Sequence, residues 1–317
     1  MNKIFLLILI TINLFAIENL KPKKVFKTTG NTQSMYYENN KLYAGTSNGT
    51  VEIFDTKKNE KIEIIKLENI KDFMGDLIPA KIYSIDKLDD KILIVSQGQK
   101  GYRNIFLYEN KKVEKIIGIE KNYIIQKANF VSDDLILFAL LSNQIGLYNF
   151  KTKKLIYLTQ MSYSSFSHYM MDEDKKTIAT TDESGIVRLL DIQSGQVKKE
   201  FKALNLDRVY QVDLKKGLVL TAGQDRRAAV YDDFSSYYLQ FDFLLYSCAL
   251  SPNANIGAIA YNEQNDILIF DIATKSYLYN LIGQNATLTQ ILFINQNELF
   301  TSSDSEEINY FILGEKK

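Results

Sequence analysis

The sequence predicts an all-β domain in which seven four-stranded antiparallel sheets stand in a ring closed by an N-terminal strand. Three observations carry this expectation. Short apolar strands of about five residues alternate with polar hairpins along almost the whole chain. The pattern recurs at about forty residues, as Asn149, Asp191, Asp232 and Asp271 show. The last unit lacks its fourth strand, while a lone strand stands near the beginning. A four-stranded sheet with two apolar faces cannot bury both alone, so it stacks against copies of itself. Pairing the first strand with the final three hides the two remaining edges, which is the architecture of a β-propeller.

The clearest unit is 166–201, FSHYMMDEDKKTIATTDESGIVRLLDIQSGQVKKEF, with strands at 166–171, 177–181, 186–191 and 197–201 separated by the turns MDEDKK, DESG and QSG. In chain order, Lys24–Lys27 is the lone strand and 33–37, 41–44, 51–55 and 62–66 make the first set. The second set is 82–86, 91–96, 104–108 and 113–117, and the third is 125–130, 135–140, 145–149 and 155–158. After the fourth, described above, come 209–214, 218–222, 228–232 and 237–241, then 245–250, 256–260, 267–271 and 277–282, and finally 288–293, 298–302 and 308–313. Residues 67–80 form the longest connection. Ile70, Phe73, Met74, Leu77 and Ile78 are spaced there as on a helix, so a loop or short helix lying over one face is expected.

Residues 1–16, MNKIFLLILITINLFA, place one positive charge at Lys3 before an apolar run and a small residue at Ala16. They read as a cleaved secretory signal peptide, too short for a stable membrane span, leaving 17–317 as a single domain in the periplasm. Lys plus Arg and Asp plus Glu number 38 each, so no global field draws nucleic acid or an anionic membrane. Three prolines and no Trp beside 20 Tyr and 18 Phe suit strands rather than linkers. Cys248 is the only cysteine, so the exported domain relies on packing instead of disulfides, and its place in LLYSCAL reads as a small buried hydrophobe.

Four segments share one pattern: AGTSNGTVEIFD at 44–55, TTDESGIVRLLD at 180–191, TAGQDRRAAVYD at 221–232 and AYNEQNDILIFD at 260–271. Each is a small-residue strand end, a polar hairpin and an apolar strand that closes on Phe54-Asp55, Leu190-Asp191, Tyr231-Asp232 or Phe270-Asp271. They resemble the WD40 repeat, in which the strand ends on Trp-Asp. The likeness runs from Lys24 to Leu313 and implies a WD40-like seven-bladed propeller. It is degenerate, because the Gly-His dipeptide and the Trp are absent and the family's Asp-His-Ser-Trp hydrogen-bond network is not available. In organisation and export segment the chain also resembles NapL, the family of WD40-like accessory proteins encoded with the periplasmic nitrate reductase system of some Gram-negative bacteria. That resemblance implies a nitrate reductase component as partner.

Catalytic chemistry is sparse in the sequence. His168 is the only imidazole and Cys248 the only thiol, which leaves no nitrogen- or sulfur-rich set for Zn, Cu or haem. His168 lies on a first strand without a nucleophile elbow near it, and reads as a packed, hydrogen-bonded structural residue. Two carboxylate groups, Asp172, Glu173 and Asp174, and Asp304, Glu306 and Glu307, lack the pattern of a calcium loop and read as solvated hairpin tips. Gly98 and Gly101 do not stand between a parallel strand and a helix, as a phosphate cradle requires. No cofactor, metal or catalytic residue is therefore expected. The reading is a monomeric, non-enzymatic periplasmic scaffold that binds another protein; the alternative is a propeller hydrolase or lactonase with an axial carboxylate-bound Ca²⁺. Candidate partner-binding residues are Lys100 and Arg103 in the second set and Arg226 and Arg227 in the fifth, on hairpins of one face. They are expected to flank the channel mouth and grip an acidic segment. Phe73 and Met74 in the long connection are the second candidates.

Overall fold

The computed structural model describes residues 17–233 and 235–314; the signal segment expected over 1–16 lies outside them. The chain folds into seven antiparallel blades, each built from the inside outward in chain order. Their innermost strands are Thr32–Glu38, Ile82–Leu88, Ile125–Phe130, Phe166–Met171, Val209–Lys215, Cys248–Leu250 and Leu288–Phe293, in blades one to seven. Lys24–Lys27 supplies the outer strand of blade seven, antiparallel to Glu307–Ile312 with Phe26 opposite Ile308. The ring is thus closed as the sequence predicts.

One strand was not expected. Glu18–Leu20 adds to the outer edge of blade six, parallel to Tyr277–Leu281, so the N-terminal segment steps from blade six to blade seven and covers an edge on each. Three residues carry no readable period, but Leu20 packs on the apolar cluster between those two blades.

The helix entertained for 67–80 does not form. The segment is instead a small hairpin, Ile70–Lys71 against Leu77–Ile78. Asp72 Oδ1 accepts the amide N–H groups of Met74 at 2.8 Å and Asp76 at 2.9 Å, and Gly75 sits at φ 93°. A side chain that takes the local amides and a left-handed glycine reverse the chain where a helix would continue it. Among the described residues the helices are the short 3-10 turns Gln99–Gly101 and Ile119–Lys121, and no helix is long and apolar enough to cross a membrane.

Each of the seven hydrophobic clusters lies between two adjacent blades; none is central. Both faces of every blade are consequently buried, which explains nearly continuous apolar strands such as Ile267–Asp271. Tight packing also fixes small residues. Gly146 and Gly257 stand opposite Phe138 and Phe270 in the strand ladders, and a Cβ on either would lie 2.4 Å or 2.3 Å from the ring.

The missing WD40 network has a substitute. In blade four, buried Asp182 accepts from Asn143 Nδ2 at 2.8 Å, Ser162 Oγ at 2.7 Å and Arg188 Nη1 at 2.6 Å, while Arg188 Nε reaches Glu200 at 3.0 Å. Burial pushes the Asp182 carboxyl up, but hydrogen bonds from Ser184 and Ser162 and the Arg188 charge outweigh it and hold the group below the ordinary range. In blade five Thr221 and Tyr231 close on Asn205, and in blade seven Thr301 and Asn309 close on Gln284. Each network anchors the connection that enters its blade.

Candidate interaction face and the axial channel

The innermost strands line an axial channel of about 400 Å³. Ser34, Ser84, Lys127, His168, Gln211 and Gln290 are the third residues of their inner strands, and Ser247 directly precedes Cys248–Leu250. Most reach the main chain of the next blade. Ser34 and Ser84 accept the amides of Ile85 and Ala128 at 3.2 Å, Gln211 that of Cys248 at 3.1 Å, and Gln290 that of Met35 at 2.6 Å. Lys127 donates to the Tyr169 carbonyl at 2.9 Å. Gln211 Nε2 of blade five also reaches past blade six to the Thr289 carbonyl of blade seven at 2.9 Å. This polar girdle was not read from the sequence, because only the geometry brings residues so far apart in the chain onto one axis.

His168 belongs to this girdle. Lys127 Nζ lies 3.0 Å from Nε2, so Nε2 accepts and the ring proton is on Nδ1, which donates to the Val212 carbonyl at 3.1 Å. Burial, then the Lys127 charge, drives the imidazole well below its ordinary pKa, so it is neutral. Burial brings the Lys127 ammonium down to about 8, with Asp86 and Asp213 opposing. Those two carboxylates accept the amides of Phe130 and Leu250, both at 2.7 Å, and burial pushes each upward. Cys248 is buried and its thiol is pushed up.

The carboxylate groups considered for Ca²⁺ stand away from the axis on opposite faces. Asp172 caps its own hairpin through the amides of Lys176 and Thr177, and Asp304 accepts from Asn31 at 2.9 Å. Among the described residues, no three His, Cys, Asp or Glu side chains gather as a metal-binding group.

Antiparallel order puts the hairpins between second and third strands on the same face as the connections between blades. Lys100, Arg103, Arg226 and Arg227 all lie there, but one or two strands out from the axis, and none lines the channel. Two are committed to the scaffold. Arg103 lies over the Tyr83 ring at 3.5 Å and donates to the Ile125 carbonyl at 2.8 Å. Arg227 lies over Tyr238 at 4.3 Å and donates to the Leu204 carbonyl at 3.0 Å. Lys100 and Arg226 are exposed. The Arg226 hairpin borders an open depression of about 570 Å³ that also contains Leu206, Asp207, Asp225 and Asp242, so it is a mixed rather than a cationic surface. A further cation on this face, which the sequence reading passed over, is Arg208, bound to Ser167 of an innermost strand at 3.2 Å and to Glu183 at 3.3 Å. Its position directly before Val209 was the available clue.

These placements separate the two arginines by experiment. Arg226→Glu is expected to leave the thermal midpoint within about 2 °C, whereas Arg227→Glu, which strips the Leu204 carbonyl of its donor, should cost about 1–3 kcal/mol in denaturant unfolding. Equal effects would refute the assignment.

Exposed large apolar side chains are distributed unevenly. Apart from Ile17 and those on outermost strands, they belong to the loops of this one face: Phe73 at 94%, Met74 at 73%, Leu77, Leu141, Tyr163 and Leu206. Among the described residues the opposite face has none; its hairpins present residues such as Asn39, Asn40, Asp89, Asn110 and Lys111.

Among solved structures, the chain is similar to the β-propeller domain of Cps50 (Swd1) from Myceliophteria thermophila, with a TM-score of 0.74 over 92% of this chain and 99% of that one. The fold is a seven-bladed β-propeller. Sequence identity across the match is 12%, so the likeness is one of fold alone. No family model and no curated protein matches the chain.

Proposed function

We propose that this propeller is a non-enzymatic scaffold that docks another protein on the face bearing the 67–80 hairpin. The one-sided exposure of Phe73, Met74, Tyr163 and Leu206 supports this reading, because aromatic residues and Met are the types that anchor protein interfaces, and the opposite face offers none among the described residues. Lys100 and Arg226 on the same face add charge at the rim, where it steers association more than it strengthens it. The sequence resemblance points to a component of the periplasmic nitrate reductase system as the partner, met by a monomer exported through its N-terminal segment.

Replacing Phe73 and Met74 together by Ser is expected to abolish capture of the partner from nitrate-respiring cells. Circular dichroism and the melting temperature should not change, since both side chains stand in solvent. Undiminished capture by the double variant, or no captured protein under those conditions, overturns the proposal.

A further inference from the structure

Blades one and two part at their outer rim beneath the inserted hairpin and leave a cleft of about 540 Å³, a volume that suits a small ligand or a short peptide segment. Phe106, Val113 and Lys115 of blade two line one side, and Lys66, Leu67 and Ile70 line the other. Ser96 and Asn104, paired in the strand ladder of blade two, also line it.

Asn104 is 5% exposed, yet its carboxamide Oδ1 has no hydrogen-bond partner among the described residues, and the Ser96 hydroxyl is used on the adjacent Gln97 carbonyl at 3.2 Å. A buried carboxamide left unpaired lowers stability, and a leucine of similar size would fill the position without that loss. The side chain makes physical sense if something entering the cleft pairs with it. At the rim Lys66 and Lys115 are exposed, and among the described residues they make no ion pair and Glu68 is the one carboxylate lining the cleft.

We infer that the cleft binds a short extended peptide segment carrying a carboxylate. A peptide group offers both the N–H that Asn104 Oδ1 lacks and a carbonyl for its Nδ2. An apolar neighbour packs on Phe106 and Ile70, and the carboxylate meets Lys66 and Lys115. The cleft lies at the base of the hairpin whose tip carries Phe73 and Met74, so a segment of a protein seated on that tip continues into it. The inference rests on the docking reading above, which supplies the segment.

The test uses a phage-displayed random dodecapeptide library panned against the chain from residue 17 onward. Enriched peptides should carry an acidic residue beside a large apolar one. By fluorescence anisotropy, Asn104→Leu and Lys115→Glu should each weaken the best of them by about tenfold or more, while Asn104→Leu raises the melting temperature. A residue with a purely structural role would not raise stability and lose binding together. No enrichment, enrichment without acidic residues, or affinities within about twofold in both variants overturns the inference. Partner capture is scored separately. Capture that survives where no peptide binds removes the cleft alone, whereas peptide binding retained in the Phe73→Ser, Met74→Ser chain with capture unchanged removes the docking reading and leaves the cleft.

Discussion

Deleting residues 17–27 is expected to cost the protein its cooperative unfolding transition. Those residues are the outer strand of blade seven and the added strand of blade six, so their loss exposes two sheet edges and opens the ring. They also remove Phe26, 3% exposed, whose ring stands edge-on to Phe54 at 5.6 Å and to Phe300 at 5.8 Å. That contact joins blade one to blade seven, whose other three strands come from the far end of the chain. Phe26→Ala alone should cost about 3–5 kcal/mol and lower the midpoint by roughly 5–15 °C in calorimetry. A drop below about 2 °C for this substitution, or a deletion chain that melts as sharply as the parent, would refute closure by the N-terminal segment.

Arg188→Met is expected to be nearly as damaging, for an electrostatic reason. It leaves Asp182, 1% exposed, as a buried carboxylate without its cation, and breaking a buried pair from one side costs about 3–5 kcal/mol. The double variant Asp182→Leu, Arg188→Met should recover part of that loss, because it removes both charges instead of stranding one. The pH dependence follows from the direction of the Asp182 shift. Its folded value is depressed, so the stabilisation is present above the ordinary carboxylate range of about 4 and is lost as the pH falls through the folded value. Urea midpoints for the parent and for Asp182→Asn should therefore converge on acidification. Midpoints that diverge below pH 4 would contradict the assignment.

Most of the fold was legible because turn chemistry and a repeat near forty residues are local signals that each blade sends independently. The strands Phe166–Met171, Ile125–Phe130 and Leu288–Phe293 lie where the sequence places them. The closing strand was legible for a different reason: an unpaired strand at one end and a missing one at the other have a single economical solution. What escaped was set by contacts between distant residues. Glu18–Leu20 is a strand only because the edge of blade six is there to receive it. The apolar spacing over 70–78 mimics a helix, and Asp72 with Gly75 decides against it.

The candidate site was read less completely. Charge along the chain marked Arg103 and Arg227, but aromatic rings and carbonyls already hold both guanidinium groups. Phe73 and Met74 stood out as apolar residues in a long connection, and their exposure gives them weight that composition alone does not. The Asp182–Arg188 pair was hidden because both residues sit in stretches that read as ordinary hairpin and strand.

The most direct measurement is photo-crosslinking in the native host with a benzophenone amino acid placed at position 73 on one face and, separately, at position 111 on a hairpin of blade two that points to the other. A scaffold that docks its partner on the hairpin face yields one discrete adduct of higher mass from position 73 and none from position 111. Adducts of equal yield from both positions, or from position 111 alone, would contradict docking on that face.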